Sequence, residues 1–189
     1  METPVAWDAP PARPALADDH VHVWRCASRA FVRQRLAAYL DAAPEALRFA
    51  TRPGGKPFLA APTSGLEFNL THSGDLVLLA VASHPIGIDV ERIRPVPHCL
   101  AVARRVLPAE DVAELEMGDR PESPVALRFL DLWTRFEAKQ KAIGQGVFGE
   151  RPAHGQLVVR SFRPDEAYVA ALAWAAATPV REIAFFSRQ

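Results

Sequence analysis

Apolar and polar positions along this chain recur with periods that separate helix from strand. Val21-His22-Val23-Trp24 alternates and predicts a first short strand. Over 29–40, Val32, Leu36, Tyr39 and Leu40 form a stripe at helical spacing, with Arg33 and Arg35 off it. Pro44, Pro53 and Gly54-Gly55 punctuate a loop leading into Lys56-Pro57-Phe58-Leu59. Segments 67–70 and 76–82 read as strands, and Ser73-Gly74-Asp75 between them signals a tight hairpin. His84-Pro85 breaks that run, a strand follows over 86–91, and Pro95 and Pro97 end it. Two short helices are expected over 100–106 and 108–117, the second with Pro108, Glu110 and Asp111 at its positive end. A polar loop spans 118–124. The longest helix is expected over 125–143, closed by Gly144. Strands over 156–162, 168–175 and 181–186 complete the chain, the first two joined by a turn at 163–166.

Helix, hairpin and strand thus occur twice, before Pro95 and after Pro124, as in a duplicated α/β unit. The expected class is α+β, with an N-terminal lobe over 21–97 and a C-terminal lobe over 98–189. Segment 1–17 is rich in Pro and Ala without periodicity, so 1–20 is expected to be a disordered tail.

Composition narrows the class. Lys plus Arg equals Asp plus Glu at 22 each, which argues against a dedicated nucleic-acid binder with a basic face. Cys26 and Cys99 form no metal or disulfide motif, so a reduced, cytoplasmic setting is expected. Neither a signal peptide nor a run near the ~20 apolar residues of a membrane span is present.

Candidate chemistry centres on Ile86-Gly87-Ile88-Asp89-Val90-Glu91. In a strand, Asp89 and Glu91 share one face. Such a pair suits a hard divalent cation such as Mg²⁺, which takes one or two carboxylates and completes its shell with water and phosphate oxygens. The competing reading is a solvated acidic strand end. On the long helix, Glu137 and Lys141 lie one turn apart with Thr134 and Trp133 nearby; they are either a routine surface pair or a charged face with a task. Asn69-Leu70-Thr71-His72-Ser73 could present donors to phosphate or simply form local turn bonds. Gly55-Lys56-Pro57 lacks the P-loop frame but could offer one fixed ammonium. The segment 104–117 mixes Arg104 and Arg105 with Val106, Leu107, Val112 and Leu115. It could dock an acidic partner or simply turn its apolar residues to the core.

In order, the chain offers Arg33 on a helix, G-K-P at 55–57, F-N-L-T-H-S at 68–73, G-I-D-V-E at 87–91 and W-T-R-F-E-A-K-Q-K-A-I-G-Q-G at 133–146. This ordered set resembles the phosphopantetheinyl transferases, in particular the longer, monomeric, two-lobed group serving polyketide, peptide and siderophore synthases. The resemblance implies two similar lobes in pseudo-two-fold arrangement, with coenzyme A and Mg²⁺ bound between them. The implied reaction moves the 4′-phosphopantetheine arm onto a serine of an apo acyl- or peptidyl-carrier protein. It further implies that Asp89, Glu91 and Glu137 are the metal-binding acids, Glu137 also taking the serine proton, and that Lys141 holds the pyrophosphate. Lys56 with Pro57, Thr71, His72 and Arg33 match the coenzyme A contacts. Thr71 stands where Ser is usual and Phe136 where the family often has Lys, and the stretch between Arg25 and Arg29 is short. These departures motivate a rival, a non-catalytic relative that binds coenzyme A or carrier protein; a Mg²⁺-dependent phosphoesterase is the other.

Overall fold

The computed structural model describes residues 3–117, 124–145 and 155–187. Gly146 and residues 118–123 of the loop expected over 118–124 lie outside them. In chain order the elements are β1 (His20–Cys26), α1 (Arg29–Tyr39), β2 (Arg48–Thr51), β3 (Pro57–Ala61), β4 (Glu67–Ser73), β5 (Leu76–Ala82) and β6 (Ile86–Arg92). Then follow α2 (Cys99–Val106), α3 (Ala109–Met117), α4 (Val125–Ala142), β7 (Leu157–Phe162), β8 (Tyr168–Ala175) and β9 (Glu182–Ser187). The chain is thus a mixed α/β fold, and the periodicities place most elements to within two residues. β2 and β3 are the strands that they do not identify.

Hydrogen bonding arranges the strands in two larger sheets, β4-β5-β1-β9 and β6-β8-β7, and a ribbon of β2 and β3. β9 runs parallel to β1 from His20↔Glu182 to Arg25↔Ser187, while β6 pairs antiparallel with β8 from Ile86↔Trp174 to Arg92↔Tyr168. The expected division at 97/98 therefore does not separate the sheets. The last strand of the chain belongs with the first, and β6 belongs with the second half. One apolar cluster joins both sheets, with Val21, Val23 and Leu78 from the first against Ile88, Leu172 and Trp174 from the second. Burial of shared apolar area, not chain order, sets the partnership.

The segment expected to be a tail is instead docked. Asp8 N–H donates to the Phe185 carbonyl at 2.9 Å, and Ser187 N–H donates to the Asp8 carbonyl at 3.0 Å, which adds a short rung beside β9. Trp7 Nε1–H donates to the Pro164 carbonyl at 2.8 Å, and its ring meets Phe185 edge-on at 5.6 Å. Val5 and Trp7 supply apolar surface that the composition of the segment conceals.

α4 is the element that carries the site. Its apolar face divides between two partners: Phe129, Leu130, Leu132 and Phe136 pack with Ala103, Val106, Leu107 and Leu115 of the α2–α3 region, while Ala138 and Ala142 lie on Ala171 and Ala173 of β8. Small side chains on both surfaces let helix and sheet approach closely. Gly87 completes this contact, because a Cβ there would stand 2.0 Å from the Ala138 carbonyl oxygen and 2.5 Å from the Ala142 nitrogen. The helix stops at a Schellman cap. Gly144 adopts φ +72, its N–H donates to Lys141 O at 3.2 Å, and Gln145 N–H donates to Gln140 O at 2.9 Å. Among the described residues no helix is long and apolar enough to cross a membrane.

Candidate active site

Three side chains of β4 span the seam between the two large sheets. Asn69, Thr71 and Ser73 alternate onto the face turned to β6. Asn69 Oδ1 accepts from Ile88 N–H at 2.8 Å, Thr71 Oγ1 donates to Asp89 Oδ1 at 2.9 Å, and Ser73 Oγ donates to Glu91 Oε2 at 2.9 Å. Arg92 N–H also donates to Ser73 Oγ at 3.0 Å. Side-chain bonds thus replace a backbone ladder here and fix where the carboxylates of β6 stand.

The close approach of α4 to β6 brings the second motif to the first. Lys141 Nζ lies 2.6 Å from Asp89 Oδ1, 3.3 Å from Thr71 Oγ1 and 3.6 Å from Glu137 Oε2. Glu91 is also 3.5 Å from the Arg94 guanidinium. Burial pushes the Asp89 carboxyl above the ordinary aspartate range, opposed by Lys141 and the Thr71 hydroxyl. Burial also raises Glu137, and the charges of Asp89 and Glu91 raise it further, with Lys141 opposing. Sequence positions 52 residues apart therefore share one electrostatic site.

Asp89 Oδ2 is buried with no hydrogen-bond partner among the described residues. A buried carboxylate oxygen with no protein donor can still accept a bond. Asp89, Glu91 and Glu137 offer oxygen donors, the type that a hard divalent cation takes. As they stand, no three His, Cys, Asp or Glu groups among the described residues are close enough to share one ion. An ammonium lies among these oxygens instead.

The other candidate residues sit farther out. Lys56 is buried; its Nζ donates to the Ile86 carbonyl at 2.8 Å, and burial lowers its pKa to about 8. Pro57 opens β3 beside it. Gly54 explains how this loop reaches α4, since a Cβ there would fall 1.7 Å from the Gly144 carbonyl oxygen. A cavity of about 300 Å³ lies between them, lined by Arg52, Lys56, Glu67, Pro85, Ile143 and Gly144. His72 is exposed and, by strand alternation, faces away from Thr71. Arg33 donates to the carbonyls of Pro44 and Leu47 at 2.8 and 2.9 Å and stacks over Phe49 at 4.9 Å, so the structure gives its guanidinium to the loop before β2. In the 104–117 segment Val106, Leu107 and Leu115 are buried, and Arg104 pairs with Glu116 at 2.8 Å. The apolar residues there face the core. The supports missed in the sequence are Asn69, Ser73, Gly54 and Gly87. The alternation of N-x-T-x-S along β4 was the available signal for the first two.

Residues 85–176, which carry Asp89, Glu91, Glu137 and Lys141, match the family model described as the 4′-phosphopantetheinyl transferase superfamily. The 4′-phosphopantetheinyl transferase HetI of Nostoc sp. (strain PCC 7120) is 37% identical over 125 residues, 64% of this chain and 52% of that protein. The 4′-phosphopantetheinyl transferase psf-1 of Bacillus pumilus is 38% identical over 105 residues, 54% of this chain and 42% of its own length. Sfp of Bacillus subtilis (strain 168), also a 4′-phosphopantetheinyl transferase, is 34% identical over 101 residues, 53% of this chain and 43% of that protein. The chain spans about half the length of these curated relatives or slightly less. Residues 85–176 are therefore similar to the 4′-phosphopantetheinyl transferase superfamily.

Proposed function

We propose that this chain transfers the 4′-phosphopantetheine arm of coenzyme A to a serine hydroxyl of an apo acyl- or peptidyl-carrier protein, with Mg²⁺ present. The observation that carries the reading is the meeting of Asp89 on β6 with Glu137 and Lys141 on α4, inside the segment matched by the family. Asp89, Glu91 and Glu137 would hold Mg²⁺, which when bound neutralises diphosphate oxygens and polarises phosphorus.

The chain's own residues supply the rest. Glu137 accepts the serine proton; its raised pKa makes it a stronger base than an ordinary glutamate while it is ionised. The serine oxygen bonds to phosphorus as the P–O–P bridge of coenzyme A breaks, and Lys141 stabilises the charge that develops on the departing adenosine 3′,5′-bisphosphate. Lys56, beside the cavity at the end of α4, receives a phosphate of coenzyme A. A dianion there would hold its ammonium charged against the burial that lowers it. Pro57 fixes the backbone next to Lys56, Thr71 orients Asp89, and His72 offers an exposed donor at the rim. Arg33 acts indirectly, by holding the loop before the β2–β3 ribbon that carries Lys56. The two sheets with their helices form the two lobes of this reading, and the chain works as a soluble cytoplasmic monomer.

The test is a mass measurement. Incubated with coenzyme A, Mg²⁺ and an apo carrier protein, the chain should add one phosphopantetheine group to the carrier. Asp89→Ala and Glu137→Ala should each lower that rate by at least about a hundredfold while leaving the fold intact, since a shared cation site with one acid fewer loses repulsion along with its ligand. Transfer by either variant at the parent rate removes that acid from the mechanism. Coenzyme A breakdown without carrier modification would favour a phosphoesterase instead.

A further inference from the structure

The charges gathered around Asp89 do not cancel. Among the described residues, Asp89, Glu91 and Glu137 bring three negative charges, and Lys141 and Arg94 are the cations paired with them. The cluster is therefore one positive charge short of neutral. A divalent cation added with Lys141 in place would overshoot by one. Added as Lys141 leaves, it brings the cluster to neutrality. Lys141 also touches oxygens from β4, β6 and α4 at once, through Thr71, Asp89 and Glu137, which is the arrangement a hard cation seeks. Its side chain keeps 27% exposure against 5% for Asp89, so the ammonium has an open route out on a flexible four-carbon stem.

We propose that Lys141 is a built-in stand-in for the cation: it neutralises Asp89 in the free chain and is released when a divalent cation takes the carboxylates. Among the described residues Lys141 has no ion pair beyond Asp89 and Glu137, so cation binding frees its positive charge for an anionic diphosphate. The two ligands are thereby coupled in sequence, cation first and anion second, with no larger rearrangement. This rests on the reading of Asp89, Glu91 and Glu137 as the cation site.

Two measurements test it apart from turnover. In calorimetric titrations of the full chain with Mg²⁺, Lys141→Gln should bind about tenfold more tightly than the parent, because a competing positive charge has gone. Equal or weaker binding by a folded Lys141→Gln overturns the stand-in role and leaves the cation site standing. If neither parent nor variant binds Mg²⁺, the cation reading itself fails, and the stand-in with it. The second measurement needs no variant. The chain contains only three lysines, Lys56, Lys139 and Lys141. Acetic anhydride labelling followed by peptide mass spectrometry should show Lys141 acetylated several times faster in saturating Mg²⁺, relative to Lys139. Labelling that is unchanged or slower overturns the proposal.

Discussion

Phe136 shows how one residue can belong to a site by sequence and to the core by structure. It precedes Glu137, and at ~3.6 residues per turn its side chain points about 100° away. That rotation takes it out of the carboxylate cluster and into the packing of α4 with α2 and α3, where it is 2% exposed and its ring lies 6.4 Å from Trp133. A lysine in this environment would leave an unpaired ammonium among apolar side chains. Phe136→Lys should therefore lose roughly 3 kcal/mol or more of stability, and Phe136→Leu under about 1.5 kcal/mol, read from urea midpoints at a common slope. A Phe136→Lys chain with the parent midpoint would show that the position can turn to solvent. Neighbouring residues thus have unlike fates. Glu137 and Lys141 share the face toward β6, and position 136 contributes the helix's anchorage to the other side.

At the scale of elements, the site depends on how closely α4 lies against β6. Gly87 sets that distance. Adding one carbon there places it within 2.0 Å of a backbone oxygen of α4, so the helix must move or the strand must bend. Gly87→Ala should destabilise by roughly 1–3 kcal/mol. It should also lower transfer by about a hundredfold in the fraction that still folds, because a 1 Å displacement between reacting groups has that effect. A variant with parent stability and parent rate would show that the approach has slack. Sequence periodicity locates α4 and its glycine stop well, since the apolar stripe and the capping chemistry are local. It locates β5, β6 and β8 equally well. It does not show β2 or β3, whose four and five residues are too short to display a period. Nor does it show the docking of 3–8, which depends on two side chains, Val5 and Trp7, meeting a surface made elsewhere. The acids and Lys141 were legible as types at fixed spacing. The seam made by Asn69, Thr71 and Ser73 was not, because it exists only between strands that the sequence cannot pair.

At the scale of the whole molecule, the two large sheets exchange strands across the chain's midpoint. β9 completes the sheet that begins with β1, and β6 completes the sheet that holds β7 and β8. Cutting between 97 and 98 would leave the first piece with a β1 edge lacking β9 and a β6 lacking β8. The second piece would hold β9 without β1, and β7 and β8 without β6. Each half would then expose apolar side chains of the shared cluster, among them Val23 and Ile88 on one side and Leu172 and Trp174 on the other. That exposure weakens each half against the entropy of ordering its backbone. Two sheets joined this way should behave as one cooperative unit. In urea, Trp fluorescence and far-ultraviolet circular dichroism should trace one coincident transition. Residues 1–97 and 98–189, made as separate peptides, should each lack a cooperative transition and should regain one when mixed. A half that unfolds cooperatively by itself near the parent midpoint would mean that each lobe is stable without the exchanged strand. The closeness of Lys141 to Asp89 would then rest on docking between independent domains instead of on a common core.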